Sequence, residues 1–187
     1  ATLGARLALA GHEVALVARG AHLQAIRAHG LQVVDLVNGV EQTLALAADD
    51  EPARLARAAG VPEVVIIGLK AHAIAAMLPR MAPLIGAHTT VVPAINGLPW
   101  WYFHREGSAR DGSVVRALDP QGTMFAALDP ARLLGCVVHI AAEVRTPGRV
   151  HYTGGRRLLL GEPDRTASNR LAQVCAAIGV DPAAIGT

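Results

Sequence analysis

The 187-residue chain predicts an α/β fold: a doubly wound sheet, mostly parallel, with antiparallel strands at one edge. Two observations predict it. Strand-sized runs that are apolar throughout, such as Val64-Val65-Ile66-Ile67, alternate with helical patterns as far as Ile95. Strands buried on both faces read this way because helices cover both sides of a parallel sheet. The later strands are joined by tight turns, which only antiparallel neighbours permit.

The elements follow in order. Ala1 to Ala10 reads as a helix with Leu3, Leu7 and Ala10 on one face and Gly11 as its stop. His12 to Arg19 reads as a buried strand, and Ala21 to His29 as a helix with Leu23 and Ile26 inward and Gly30 closing it. Leu31 to Leu36 and Glu41 to Ala47 pair across an Asn38-Gly39 turn. Pro52 to Ala59 is helical with Pro at its tolerated start. Val64 to Leu69 is a second apolar strand, Ala71 to Leu84 a helix interrupted at Pro79, and Thr89 to Ile95 a third strand. Leu98 to Phe103 holds Trp100-Trp101-Tyr102-Phe103, read as a packed helix, and 104–122 as a surface loop. Cys136 to Val144, Arg149 to Thr153 and Leu158 to Leu160 are strands separated by turns at Thr146-Pro147-Gly148 and Gly154-Gly155. Thr166 to Ile178 is the last helix. Residues 1–187 are read as a single domain.

Composition narrows the function. A net charge of +2 carries no basic footprint for nucleic acid. No apolar run reaches the ~18 residues of a membrane helix, so no membrane partner is expected. Cys136 and Cys175 lie far apart in apolar patterns, which predicts buried thiols and a cytoplasmic protein. The eight His show no metal-ligand spacing, and no metal is expected. His72 and His139 read as solvent-facing or satisfied residues.

In an open α/β sheet, ligands bind at the carboxyl ends of the strands. Three polar residues occupy such ends: Arg19, Lys70 and Asn96. Lys70 is the only Lys beside 16 Arg, which marks a position where an ammonium rather than a guanidinium is wanted; the alternative is one surviving surface Lys. The second strand of a Rossmann-like dinucleotide fold chooses its cofactor at its tip. An acid there bonds a ribose 2′-hydroxyl, and an Arg favours a 2′-phosphate. Val17-Ala18-Arg19-Gly20 has no acid, so Arg19 points to NADP. Asn96 offers donors and an acceptor, and Gly97 permits close approach of backbone to a ligand.

The chain resembles the ketopantoate reductase (2-dehydropantoate 2-reductase) family. The resemblance rests on Leu3-Gly4-Ala5-Arg6-Leu7-Ala8 through Gly11-His12-Glu13-Val14, and on Leu16-Val17-Ala18-Arg19-Gly20. It continues through Gly68-Leu69-Lys70-Ala71-His72-Ala73 and Pro93-Ala94-Ile95-Asn96-Gly97-Leu98-Pro99-Trp100-Trp101-Tyr102-Phe103. Leu134-Gly135-Cys136-Val137-Val138, Ala141-Ala142-Glu143, Pro147-Gly148 and Leu160-Gly161-Glu162-Pro163 complete it. The resemblance implies reduction of ketopantoate to pantoate by NADPH, in pantothenate and coenzyme A synthesis. It implies that Arg19, Lys70, Asn96 and Ala142 bind the cofactor and that Lys70 and Asn96 also contact a small 2-keto acid. It also implies a homodimeric full-length protein. The first strand and its Gly-rich loop are expected before Ala1. The general-acid Lys and the helical substrate domain are expected after Thr187, so no catalytic residue is assigned within the chain. Both ends, the helix already under way at Ala1 and the uncapped Ile185-Gly186-Thr187, suit a fragment, and the fragment alone is expected not to turn over. Two rival readings stand: a related NADP-dependent reductase of another 2-keto acid, and a nonenzymatic NADP-binding fragment.

Overall fold

The computed structural model describes residues 1–179, which group into two compact units. The first comprises Ala1–Gly60, His139–Arg157 and Ala177–Gly179; the second, Val61–Val138 and Leu158–Ala176. The expected uncapped end at Ile185-Gly186-Thr187 lies outside the described residues.

In the first unit, α1 spans Thr2–Leu9, and Gly11 beyond it takes φ +89°. Gly4 lets α1 lie close against the next strand: a Cβ there would stand 2.9 Å from Leu16 Cδ2. That strand, β1, is only Ala15–Val17, and its ends face solvent. This corrects the longer buried strand expected over His12 to Arg19. β1 has one hydrogen-bonded neighbour among the described residues, the parallel β4 (Ala47–Asp49), in register from Ala15↔Ala47 to Val17↔Asp49. A strand paired on one side keeps its other edge open.

The helix α2 (Gly20–His29) buries Leu23 and Ile26 and ends at Gly30, φ +79°. β2 (Leu31–Asp35) and β3 (Val40–Leu44) pair antiparallel, from Leu31↔Leu44 to Asp35↔Val40. Their loop is longer than the expected two-residue turn. The Asp35 carboxylate organises it, accepting from the Val37 and Asn38 N–H groups at 2.9 Å each and from Asn38 Nδ2 at 2.6 Å. The strand expected over Glu41 to Ala47 is two strands, because the chain leaves β2 after Leu44 and joins β1 at Ala47. The helix α3 (Pro52–Ala59) has its Pro in the first turn. Ala5, Ile26, Leu31 and Val150 form the core of this unit, flanked by Leu16, Ala18, Val33 and Ala48.

Two long strands, β7 (Gly135–Thr146) and β8 (Arg149–Gly161), meet across Pro147-Gly148 and give a sheet of order β3-β2-β8-β7. β8 runs parallel to β2 from Gln32↔Arg149 to Asp35↔Tyr152. Gly154-Gly155, expected as a turn, lies inside β8. Gly155 takes φ +72°, and a Cβ on it would stand 2.0 Å from the His139 carbonyl oxygen. The glycine pair therefore marks a close approach of backbones rather than a reversal.

In the second unit, β5 (Val64–Ile67) and β6 (Thr90–Pro93) are parallel, and β6 is buried throughout. Leu133 and Cys136 bridge to Val91 and Ala94, extending the sheet past β6. The helix α4 (Ala71–Met81) buries Ile74, Leu78 and Met81 and passes through Pro79 unbroken. Pro79 and Ala75 are both exposed, so water can take the carbonyl that the missing N–H would have bonded. Trp100 and Trp101 are buried edge to face at 4.4 Å, but residues 100–105 form turns rather than a helix. A short helix, α5 (Thr123–Ala127), follows the 104–122 loop, and α6 (Asn169–Ile178) is the last.

Candidate functional site

The register of β5 on β6 decides where the second unit presents polar groups. The strands end paired at Ile67↔Pro93, and Lys70 and Asn96 each stand three residues beyond that pair. Two adjacent parallel strands thus put an ammonium and an amide at equivalent positions past their carboxyl ends. Gly68 and Leu69 carry the chain out of β5 to Lys70, the exposed residue before the first turn of α4. Among the described residues its side chain has no ion pair and caps nothing.

Asn96 is also exposed, but its amide is engaged. Nδ2 donates to the Val138 carbonyl at 3.0 Å, and Oδ1 accepts the Val138 N–H at 2.8 Å. The side chain imitates one residue of a neighbouring strand. One N–H and one lone pair of the amide are left over for a ligand. Beside these groups lies a cavity of about 260 Å³ lined by Ala71, His72, Ile95, Leu98, Trp100 and Met124 among others. It can shelter a small apolar group next to a charged one.

In the first unit, Arg19 follows β1 and stands before the first turn of α2. Its side chain is exposed and has no ion pair among the described residues. A free guanidinium at a strand tip beside a helix N-terminus fits an anion such as a phosphate. Ala142 sits within β7 and is exposed.

The ketopantoate reductase PanE/ApbA family model matches residues 1–165. The chain belongs to that family. It is 41% identical over 170 residues to a 2-dehydropantoate 2-reductase of Mesorhizobium japonicum, covering 90% of this chain and 50% of that protein. A crystal structure from Ralstonia solanacearum assigned to the ketopantoate reductases superposes with a TM-score of 0.85 at 43% identity, over 95% of this chain and 53% of that one. The chain therefore spans about half the length of the relatives it matches. A D-mandelate dehydrogenase structure with NADH and anilino(oxo)acetate superposes with a TM-score of 0.71 at 19% identity, over 95% of this chain and 50% of that one, which shows the shared fold alone. Both units are α/β, with parallel pairs β1–β4, β2–β8 and β5–β6 and the antiparallel pair β2–β3.

Two acids with dense hydrogen bonding carry little or no signal in the sequence pattern. Asp49, at the end of β4, is held by Arg27 Nη2 at 2.5 Å, by Arg54 Nε at 2.8 Å and by the Glu51 N–H at 2.8 Å. The hydrogen bond from Arg54, with the Glu51 N–H and both positive charges, keeps its carboxyl far below the usual carboxylate range. Asp119, 1% exposed within the 104–122 loop, accepts from the Phe125 N–H at 2.9 Å and Thr123 Oγ1 at 3.3 Å, anchoring α5. The only sequence signal for Asp119 was an acid four residues before a Thr. For Asp49 there is none, because Arg27 and Arg54, on α2 and α3, meet it only in the folded chain.

Both cysteines are buried thiols. Burial, with Cys175 nearby, pushes the Cys136 thiol up to about 11. Among the described residues no helix is long and apolar enough to cross a membrane, and no group of three or more acidic, His or Cys side chains could hold a metal.

Proposed function

We propose that the whole protein, of whose relatives this chain spans about half, reduces 2-dehydropantoate to pantoate with NADPH, serving pantothenate and coenzyme A synthesis. The observation that carries the reading is the matched placement of Lys70 and Asn96 beyond Ile67↔Pro93. It gives a carboxylate or ketone one cationic and one neutral donor at the same sheet edge. NADPH supplies the hydride when bound. Arg19 takes its 2′-phosphate through a guanidinium that no residue neutralises among the described residues. Lys70 holds cofactor and substrate by charge, and the spare N–H and lone pair of Asn96 orient the reacting end. Ala142 offers backbone to the cofactor. The apolar cavity beside Ile95 and Trp100 receives the branched carbon of the 2-keto acid. Protonation of the developing alkoxide needs a general acid within reach of the substrate oxygen, and no residue of this chain is given that role.

The test is a titration of the full-length protein and its Arg19→Ala variant with NADPH and NADH, followed by steady-state assay on 2-dehydropantoate. The reading expects NADPH preference in the parent and its loss in the variant. An unchanged preference removes Arg19 from the site, and absence of turnover on 2-dehydropantoate removes the substrate. One second reading, a reductase of another 2-keto acid, would be favoured by turnover of such an acid in the same assay where 2-dehydropantoate is not reduced.

A further inference from the structure

The Asp49 carboxylate stands one strand away from Arg19. Val17 pairs with Asp49 in the β1–β4 register, and the Ala18 N–H donates to the Asp49 carbonyl at 3.0 Å. Arg19 lies two residues past Val17, about 7 Å along an extended chain. An Arg side chain covers that distance. A free acid at Asp49 would therefore have two ways to oppose phosphate binding: it could take the guanidinium for itself, or repel the dianion.

The chain prevents both. Asp49 is clamped from two helices, by Arg27 of α2 and Arg54 of α3. Arg27 Nε is also tied to the Ala48 carbonyl at 3.0 Å, so this arm of the clamp is fixed to β4 itself. Arg54 reaches Asp50 as well, at 2.7 Å. The Glu51 N–H takes a further lone pair of Asp49. Asp49 is thus held by two guanidiniums and a backbone N–H, and Arg19 has no acid partner among the described residues.

We propose that Arg27 and Arg54 are positioning residues for cofactor choice: by sequestering Asp49 they keep Arg19 free for a 2′-phosphate. The inference rests on the NADP reading of Arg19 and adds that the selectivity resides in a four-residue arrangement.

The experiment measures NADPH and NADH dissociation constants for the full-length protein by fluorescence titration. Arg54→Gln and Arg27→Gln are each expected to lower the NADPH-over-NADH preference roughly three- to tenfold, the effect of one uncompensated charge at this range in water-rich surroundings. Adding Asp49→Asn to either variant is expected to restore the preference, because the released acid is what does the harm. Arg54→Lys is expected to keep it. A merely structural clamp predicts otherwise: both cofactors weaken together and Asp49→Asn gives no rescue, which overturns the proposal. Arg19→Ala separates the two levels. If it abolishes the preference while the clamp variants leave it intact, the clamp inference alone fails. If Arg19→Ala changes nothing, the NADP reading fails first.

Discussion

Asn96 completes a strand pairing that the backbone leaves unfinished: its side-chain amide makes both hydrogen bonds to Val138 that a strand neighbour would make, at 3.0 and 2.8 Å. The backbone just before it already follows this path, since the Ile95 N–H donates to the Cys136 carbonyl at 3.2 Å. One residue therefore ends the β6 side of the sheet, fixes β7 to it, and presents its remaining donor at the candidate site. Position and chemistry are coupled in the same amide.

Replacing Asn96 should separate these roles by degree. Asn96→Ala removes two hydrogen bonds of modest net worth and should cost about 1–2 kcal/mol. Asn96→Asp keeps the size but replaces the donor to the Val138 carbonyl with an acceptor, so it should cost at least as much at neutral pH. Urea denaturation of both variants measures this. Equal stability of Asn96→Ala and the parent would mean that the pairing is ornamental.

Gly155 should be intolerant of any side chain. Its positive φ and the His139 carbonyl oxygen, 2.0 Å from a built Cβ, leave no room. Gly155→Ala should cost about 2 kcal/mol or more, because backbone rather than a flexible side chain must move. Gly68, with nothing within 4 Å of its Cβ, is the control, and Gly68→Ala should melt near the parent.

These cases show what was legible. Helix α2 was readable because Leu23 and Ile26 lie one turn apart and Gly30 closes it, all within ten residues or so. β6 was readable because burial on both faces leaves an unbroken apolar run, and β5 beside it, partly buried, keeps the same kind of run. Lys70 and Asn96 followed from the strand ends. What failed depended on distant partners. Gly154-Gly155 has the local look of a turn, and only the His139 backbone across the hairpin explains why it is strand. Pro79 has the look of a break, and only its exposure lets α4 continue. β1 reads as buried, but its exposure depends on how many neighbours it has. The Asp49 clamp needed the packing of α2 and α3 to exist.

His22 gives the first unit a pH-sensitive contact. Its Nδ1 accepts the Gly148 N–H at 2.9 Å, so the neutral ring is the form that fits. Burial lowers its pKa below the ordinary 6.5. A depressed pKa contributes stability that is complete above 6.5 and is lost as pH falls through the folded value. The parent should therefore lose on the order of 1 kcal/mol more than His22→Gln between about pH 7.5 and 5, the worth of the one hydrogen bond that protonation removes. Urea midpoints of both proteins at the two pH values check this, and parallel losses would discount the contact.

Cys136 should be unreactive while the protein is folded. Its thiol, raised to about 11 by burial, is almost wholly protonated at neutral pH. The raised value means stability present below the ordinary 9 and lost as pH climbs towards 11. A thiol reagent at about pH 7.5 should label neither cysteine in buffer and both in denaturant. Rapid labelling in buffer would contradict the burial of the pair.

Lys70 should be the reverse of Gly155, dispensable for folding and costly for function. It is exposed and makes no ion pair among the described residues, so Lys70→Ala should change stability by less than ~0.5 kcal/mol. The same substitution removes a charge-assisted contact worth about 1.5–3 kcal/mol, which corresponds to a ten- to hundredfold fall in kcat/KM of the full-length protein. Lys70→Arg keeps the charge but replaces a compact ammonium with a wider fork, and recovers only part of the loss. A thermal melt and a steady-state assay on the same three proteins decide the matter. If Lys70→Ala melts early, the residue is structural after all; if it melts with the parent and retains full kcat/KM, Lys70 leaves the candidate site.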